Sequence, residues 1–197
     1  MLFSSMQNSN AVKIRVPKGI AQRIKTYASD KARPANYSNY SGRRYDEESV
    51  FLDLVTHWAF SRYCVNEGLF HEWGYNAGTY IDFVVESIES GVILPLCIIP
   101  TSAGFDYNEA EEGLRLSRYR LHSETMVRLY LAARYDGKLV HFYGGCDRLQ
   151  LENGNIWNLR PTIYQVPIYD LGFTMSEVPS MLRKADKRQE VLQGLFI

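Results

Sequence analysis

Two apolar runs set the architecture of this chain: Tyr80-Ile81-Asp82-Phe83-Val84-Val85 and Gly91-Val92-Ile93-Leu94-Pro95-Leu96-Cys97-Ile98-Ile99-Pro100. The polar segment between them, together with Gly91, favours a hairpin, so strands are predicted near 80–86 and 92–99. Asp82 stands in the first run, where a buried carboxylate is costly unless a cation or a hydrogen-bond donor meets it. Asp82 is therefore the first candidate functional residue.

Length and composition predict one globular domain over residues 1–197, with residues 1–11 disordered. Hydrophobic residues make up 46% of the chain and charged residues 22%, values typical of soluble proteins. No apolar run reaches the roughly 18–20 residues of a membrane span, and the N-terminal sequence lacks the features of a signal peptide. Three cysteines without a CxxC pair indicate free thiols in a reducing compartment. The sequence therefore predicts a cytoplasmic protein with no membrane association.

A net charge of zero conceals a strong segregation of charge along the chain. Residues 13–44 contain nine basic residues against Asp30, a net of +8, and residues 46–113 contain thirteen carboxylates against Arg62, a net of −12. Residues 114–197 carry the remaining +4. This sorting suggests a basic face for a polyanion. The alternative is that the two segments neutralise each other in the fold.

A long loop is predicted over residues 31–45, which are rich in Pro, Asn, Ser and Gly. Its tyrosines interleave with arginines, and proteins that bind single-stranded nucleic acid combine stacking surface and cations in this way. The candidate nucleic-acid-binding residues are Arg33, Tyr37, Tyr40, Arg43 and Arg44. The alternative is an exposed loop whose tyrosines fold back onto the domain.

The remaining segments predict an α/β fold with a central mixed sheet flanked by helices. A helix is expected over Asp46–Cys64, with Asp46 as its N-cap and Gly68 past its end. Strands near 127–134 and 138–143 flank the turn dipeptide Asp136-Gly137. Shorter predicted elements are an edge strand over 12–17, a helix over 19–29, a strand over 163–168 and a C-terminal helix over 175–195.

This order of elements resembles the restriction-endonuclease-like, or PD-(D/E)xK, nuclease superfamily over roughly residues 12–175. In that superfamily a helix carrying a glutamate precedes a strand with an aspartate, and the next strand bears E-x-K. Here Glu47 or Glu48 opens the helix, and Asp82 lies on the first candidate strand. The resemblance implies a nuclease-like fold and, in an active member, a magnesium-dependent phosphodiesterase.

The active-site motif of the superfamily is degenerate in this chain. The strand that should carry E-x-K spans 92–100 and contains no Glu, Asp or Lys. Glu86 could substitute, because residues 82, 84 and 86 share one face of a strand, and Arg115, Arg118 or Arg120 could take the role of the lysine. An active enzyme would therefore use Glu48, Asp82 and Glu86, with Asp82 and Glu86 binding Mg²⁺. Otherwise no cofactor is expected.

Each of these residues also has a structural interpretation. Asp82 could pair with an arginine or cap a turn, and Glu47 and Glu48 are explained by helix capping. The four histidines show no metal-ligand spacing.

Three hypotheses about function stay open. The preferred one is a noncatalytic protein of nuclease-like fold that binds nucleic acid or a protein partner. The others are a magnesium-dependent nuclease with a displaced motif and a structural or assembly protein, for which 14 tyrosines speak. The sequence leaves open a homodimer and an origin in a mobile element.

Overall fold

The computed structural model describes residues 11–32, 46–73, 81–100, 113–123, 126–157 and 162–184. In chain order the elements are β1 (Val12–Arg15), α1 (Lys18–Lys31), α2 (Glu47–Glu67), β2 (His71–Trp73), β3 (Phe83–Glu86), β4 (Ile93–Pro100), β5 (Gly113–Ser117), α3 (Arg118–Ser123), β6 (Leu129–Tyr135), β7 (Leu139–Asp147), α4 (Arg148–Glu152), β8 (Asn155–Trp157), β9 (Ile163–Pro167), β10 (Phe173–Thr174) and α5 (Val178–Met181). The predicted α/β class is confirmed.

Seven strands form the main sheet, in the order β1-β7-β6-β4-β3-β2, with β10 also paired to β7. All neighbouring strands are antiparallel except β4 and β6, which run parallel, so the sheet is mixed as predicted. The two predicted hairpins are β3–β4 and β6–β7. Their turns use Gly91 (φ 64°) and Gly137 (φ 96°), at backbone angles that glycine tolerates best.

Helix α2 covers the first face of the main sheet and follows the predicted pattern of caps. Asp46 Oδ1 accepts a hydrogen bond from the Ser49 backbone N–H at 2.9 Å, and Glu47 and Glu48 lie in the first turn, beside the positive end of the helix dipole. The left-handed conformation of Gly68 (φ 62°) ends the helix. Helix α2 therefore runs three residues beyond the predicted end at Cys64.

The main sheet is buried on both faces, because alternate residues of its strands enter two different cores. Leu96 and Ile98 belong to a first core under α2, whereas Cys97 and Ile99 belong to a second core. This explains why the run at 91–100 is continuously apolar instead of alternating.

The second core is covered by another sheet, which the sequence analysis did not predict. Its strand order is β5-β9-β8, and α3 and α4 pack beside it. The sheet at the centre is therefore flanked by helices on one face and mainly by a small antiparallel sheet on the other. No strand was predicted over β5, although Leu114 and Leu116 alternate as strand residues do and both are buried.

The prediction of a helix over 175–195 is wrong for the part that the structure describes. Only Val178–Met181 is helical. The chain then becomes extended, and Leu182 and Lys184 form β-bridges to Ser87 and Leu69. These bridges satisfy backbone groups that a continuing helix would have used.

Other predictions concern residues that are only partly described. Helix α1 includes Lys31, and the rest of the predicted loop, 33–45, lies outside the described residues, as do residues 1–10.

All three cysteines are free and buried, as predicted. In the described ranges no helix is long and apolar enough to cross a membrane.

Candidate functional site

Asp82 lies immediately before β3 and is 6% exposed. Its backbone N–H donates to the Leu96 carbonyl at 2.9 Å, and its Oδ2 accepts a hydrogen bond from the Ile98 backbone N–H at 2.7 Å. The side chain thus satisfies a strand N–H at the point where backbone pairing between β3 and β4 ends. The donor that a buried carboxylate requires is therefore a backbone group of β4.

A histidine of α2 lies beside this carboxylate. His57 of α2 places its Nε2 3.3 Å from Asp82 Oδ2, within ion-pair distance, but Nε2 makes no hydrogen bond in the described part of the chain. The imidazole contacts Phe83 and Trp73 edge-on, at centroid distances of 5.6 and 5.8 Å. The contact with Asp82 is therefore electrostatic, while aromatic packing fixes the ring.

A second buried polar pair lies one helical turn further along α2. Ser61 Oγ is 2.9 Å from His71 Nε2, and His71 Nδ1 is 3.2 Å from the Leu69 carbonyl. Because a carbonyl can only accept, we assign the proton of the neutral ring to Nδ1, so that the Ser61 hydroxyl donates to Nε2. Burial lowers the pKa of His71 by disfavouring its charged form, although the bond to Leu69 opposes the shift. The pair is thus built around a neutral histidine.

The structure does not bring the three predicted catalytic carboxylates together. Glu48 is exposed in the first turn of α2, nine residues before His57, which corresponds to about 13 Å along the helix. Glu86 lies at the far end of β3 from Asp82 and pairs with Arg183 at 3.1 Å. Of the arginines predicted to take the role of the lysine, Arg120 contacts Cys97 Sγ at 3.3 Å, on the face of β4 toward the second core.

A magnesium site must be judged against these positions. Across the described ranges, no group of three or more His, Cys, Asp or Glu residues is placed to hold a metal ion. The carboxylates in the described ranges are thus not grouped as the oxygen ligands of Mg²⁺ would be. The predicted magnesium site therefore rests on the sequence resemblance alone, and no catalytic step is derived through a metal.

A groove of about 410 Å³ lies at the opposite edge of the main sheet, where β1, α1 and the β6–β7 turn meet. Its lining includes four exposed basic residues and no carboxylate; the four are Arg15, Lys18, Lys25 and Lys138. None of the four forms an ion pair with another described residue. The groove therefore concentrates positive charge that no ion pair among the described residues compensates, and we call it the cationic groove.

Backbone hydrogen bonds hold the walls of the cationic groove in place. The Val16 N–H donates to the Lys138 carbonyl at 3.0 Å, which joins the end of β1 to the β6–β7 turn. Asp136 Oδ1 accepts from the N–H groups of Lys138 and Leu139 at 2.9 and 2.7 Å. Although desolvation opposes the shift, these bonds and one from His141 lower the pKa of Asp136 to about 2. The turn that carries Lys138 is thus organised by an ionised aspartate at neutral pH.

Two aromatic rings form part of the floor of the cationic groove. Phe51 of α2 and Tyr135 of β6 meet edge to face, with centroids 5.7 Å apart and planes at 67°. Both side chains are half-buried and pack against the first core. Burial and the nearby charge of Asp136 raise the pKa of Tyr135, so its hydroxyl stays protonated at neutral pH.

Sequence reasoning found only part of this groove. The basic stretch 13–44 includes Arg15, Lys18 and Lys25, whereas Lys138 and the aromatic floor come from distant elements that only the fold brings near. The predicted nucleic-acid-binding residues all lie outside the described ranges; they are Arg33, Tyr37, Tyr40, Arg43 and Arg44. Arg43 and Arg44 nevertheless precede Asp46, the N-cap of the helix that carries Phe51, by only two or three positions.

Comparisons with protein-family models, curated proteins and solved structures gave no match. The likeness to the restriction-endonuclease-like superfamily therefore stays a prediction from element order and a few residues.

Proposed function

We propose that this protein binds nucleic acid and that the cationic groove holds the phosphate backbone. The observation that carries the proposal is the set of four exposed cations, without ion pairs among the described residues, around a groove that no carboxylate lines. Like charges placed together repel one another, so such a cluster costs free energy unless an anionic partner meets it. A phosphate backbone supplies closely spaced negative charges that match this arrangement.

The remainder of the basic segment supports the same partner. Residues 13–44 carry a net charge of +8, and their exposed positions on α1 continue the positive surface of the groove. Arg43 and Arg44 enter this proposal as further phosphate contacts, because they are close in sequence to Phe51 in the groove floor. The bulk of the carboxylates lies in 46–113, so the overall neutrality of the chain does not remove the local field.

The experiment is a salt series with a labelled single-stranded oligonucleotide, read by fluorescence anisotropy. Each phosphate contact releases counterions, so log Kd should change with log salt by about 0.7 per neutralised phosphate. The double variant Lys18→Ala/Lys25→Ala should weaken binding to all sequences and reduce that slope by about 1.4. Arg43→Ala/Arg44→Ala should act in the same direction.

A matched control comes from the same helix. Arg23 and Lys31 are exposed on α1 but do not line the groove, so Arg23→Ala/Lys31→Ala removes equal charge elsewhere. This control should keep most of the affinity and of the slope. An equal loss in both double variants would mean that only net charge matters and would overturn the assignment to the groove. No binding of the wild type at low salt would overturn the function itself and favour a protein partner.

A further inference from the structure

We infer that the cationic groove accepts an unpaired base, which stacks on the rings of Phe51 and Tyr135, so that the ligand is single-stranded nucleic acid. This inference rests on the proposed function and adds the class of nucleic acid that the groove selects. It draws on a separate observation, the aromatic floor, which phosphate binding does not need.

The cationic groove offers both positive charge and apolar surface. Its lining combines exposed cations with less exposed residues that carry apolar surface, among them Val16, Ala21, Phe51 and Tyr135. A nucleotide of a single strand has a matching combination, because its charged phosphate and its flat apolar base face lie on one unit. Base stacking on an aromatic ring tolerates any sequence, since every base has a π-face.

A duplex fits the cationic groove less well than a single strand does. In a duplex the bases are stacked inside and present only their edges in the grooves, so the rings of Phe51 and Tyr135 would find no free base face. The phosphates alone could still contact the rim. The groove should therefore bind both forms through charge but gain additional affinity from single strands.

Phe51 and Tyr135 could alternatively serve only to close the end of the first core. Closing the end of the first core explains why Phe51 and Tyr135 touch each other. It does not account for the groove of about 410 Å³ that these rings line together with other described residues, a volume within the range of ligand-binding pockets.

The experiment compares three ligands of equal length: a single strand, the same strand with abasic sites, and the duplex. Abasic sites keep every phosphate and remove the bases, so wild-type affinity should fall by about 5- to 150-fold relative to the intact strand. A 2-aminopurine base in the intact strand should change its fluorescence on binding, and the same base in the duplex should not.

Protein variants locate the effect. Phe51→Leu keeps an apolar side chain and removes the ring, so it should lower affinity for the intact strand but not for the abasic strand or the duplex. Tyr135→Phe keeps the ring and should bind as the wild type does. Circular dichroism and thermal melting check that each variant is folded. If Phe51→Leu does not fold, the comparison of the three ligands on the wild type still tests the inference.

The outcomes separate the two proposals. Equal wild-type affinity for intact and abasic strands, with binding still weakened by Lys18→Ala/Lys25→Ala, would overturn the stacking inference and leave the phosphate groove in place. Weaker binding to abasic strands with no change in Phe51→Leu would place the stacking surface elsewhere and also overturn the inference. Loss of all binding would refute both.

Discussion

Replacement of Asp82 by alanine tests whether this carboxylate is a structural cap, as its contacts indicate. The substitution removes a charge-assisted hydrogen bond to the Ile98 N–H, a class of bond that contributes about 1.5–3 kcal/mol to stability. It also leaves that buried N–H without its acceptor, at a cost of about 1–3 kcal/mol. Because the two figures overlap in what they count, we expect the free energy of unfolding to fall by about 3 kcal/mol.

Asp82→Asn is the matched control, because the amide oxygen can still accept from Ile98 while the charge beside His57 is lost. The His57–Asp82 contact lacks hydrogen-bond geometry, so we expect Asn to cost only about 1 kcal/mol. The assay is urea unfolding followed by far-UV circular dichroism, with the slope m compared between variants. A loss below about 1 kcal/mol in Asp82→Ala at unchanged m would refute the capping role. Equal losses in both variants would show that charge, and not the acceptor, is what matters.

Two further predictions concern the stability of the fold. His71 has a lowered pKa in the folded state, so the unfolded chain binds the proton more readily. The free energy of unfolding should therefore be highest above the unfolded pKa of about 6.5 and decline as the pH falls through that value. The variant His71→Asn should show a smaller decline when urea titrations at pH 8.0 and pH 5.5 are compared. A wild-type slope that survives unchanged in His71→Asn would contradict the assignment. Gly144 has φ 134° and lies so close to the Phe173 carbonyl oxygen that a Cβ would overlap it, so Gly144→Ala should lose about 2–6 kcal/mol in thermal unfolding. Gly19→Ala is the control, because its Cβ would meet no atom within 4 Å. This variant should raise the free energy of unfolding by about 0.5–1 kcal/mol, since alanine favours a helix more than glycine does. Equal effects at both glycines would disprove the steric argument.

The main sheet was predictable because its strongest signals are local. The hairpin at 80–100, the Asp136-Gly137 turn and the capped helix α2 each depend on residues close together in sequence, and all three are present. Which strands become neighbours depends on contacts between distant segments, and the parallel pairing of β4 with β6 carries no local signal. The small sheet was missed for the same reason, since β5 pairs with a strand that lies about fifty residues later in the chain.

The C-terminal prediction failed because tertiary pairing overrode a local preference. Residues 175–195 have a helical pattern, but Leu182 and Lys184 find β-partners in segments that the fold has already placed. The backbone N–H of Arg183 also donates to the Glu86 carbonyl, and its guanidinium pairs with the Glu86 carboxylate. A short segment with such partners gains more from pairing than from one additional helical turn.

The candidate site was less predictable than the fold. Asp82 was recognisable as unusual from its apolar surroundings, but its partner His57 is 25 residues away on a helix, at a spacing that no motif marks. The cationic groove was half visible, because three of its cations share one basic stretch and the fourth, Lys138, is carried by a turn more than a hundred residues later. A cluster of charged residues can be recognised in a sequence, whereas the placement of aromatic side chains beside that cluster depends on the fold.

The positions of Asp82 and of the cationic groove bear on the choice between binding and cleavage. Asp82 lies beside β3, whereas Lys18 and Lys25 of the groove lie on α1, which follows the edge strand β1, and β7, β6 and β4 separate β1 from β3. Four strand steps of about 4.8 Å place these strands roughly 19 Å apart. A phosphodiester held by Lys18 and Lys25 therefore does not reach the carboxylate that the nuclease resemblance assigns to catalysis. A displaced nuclease site would need a cationic surface near Asp82, and the side chain that the structure places beside its carboxylate, His57, packs against Phe83 and Trp73. We therefore propose binding without cleavage at Asp82: nucleic acid is held at one edge of the sheet, and the Asp82 carboxylate accepts the Ile98 N–H toward the other edge.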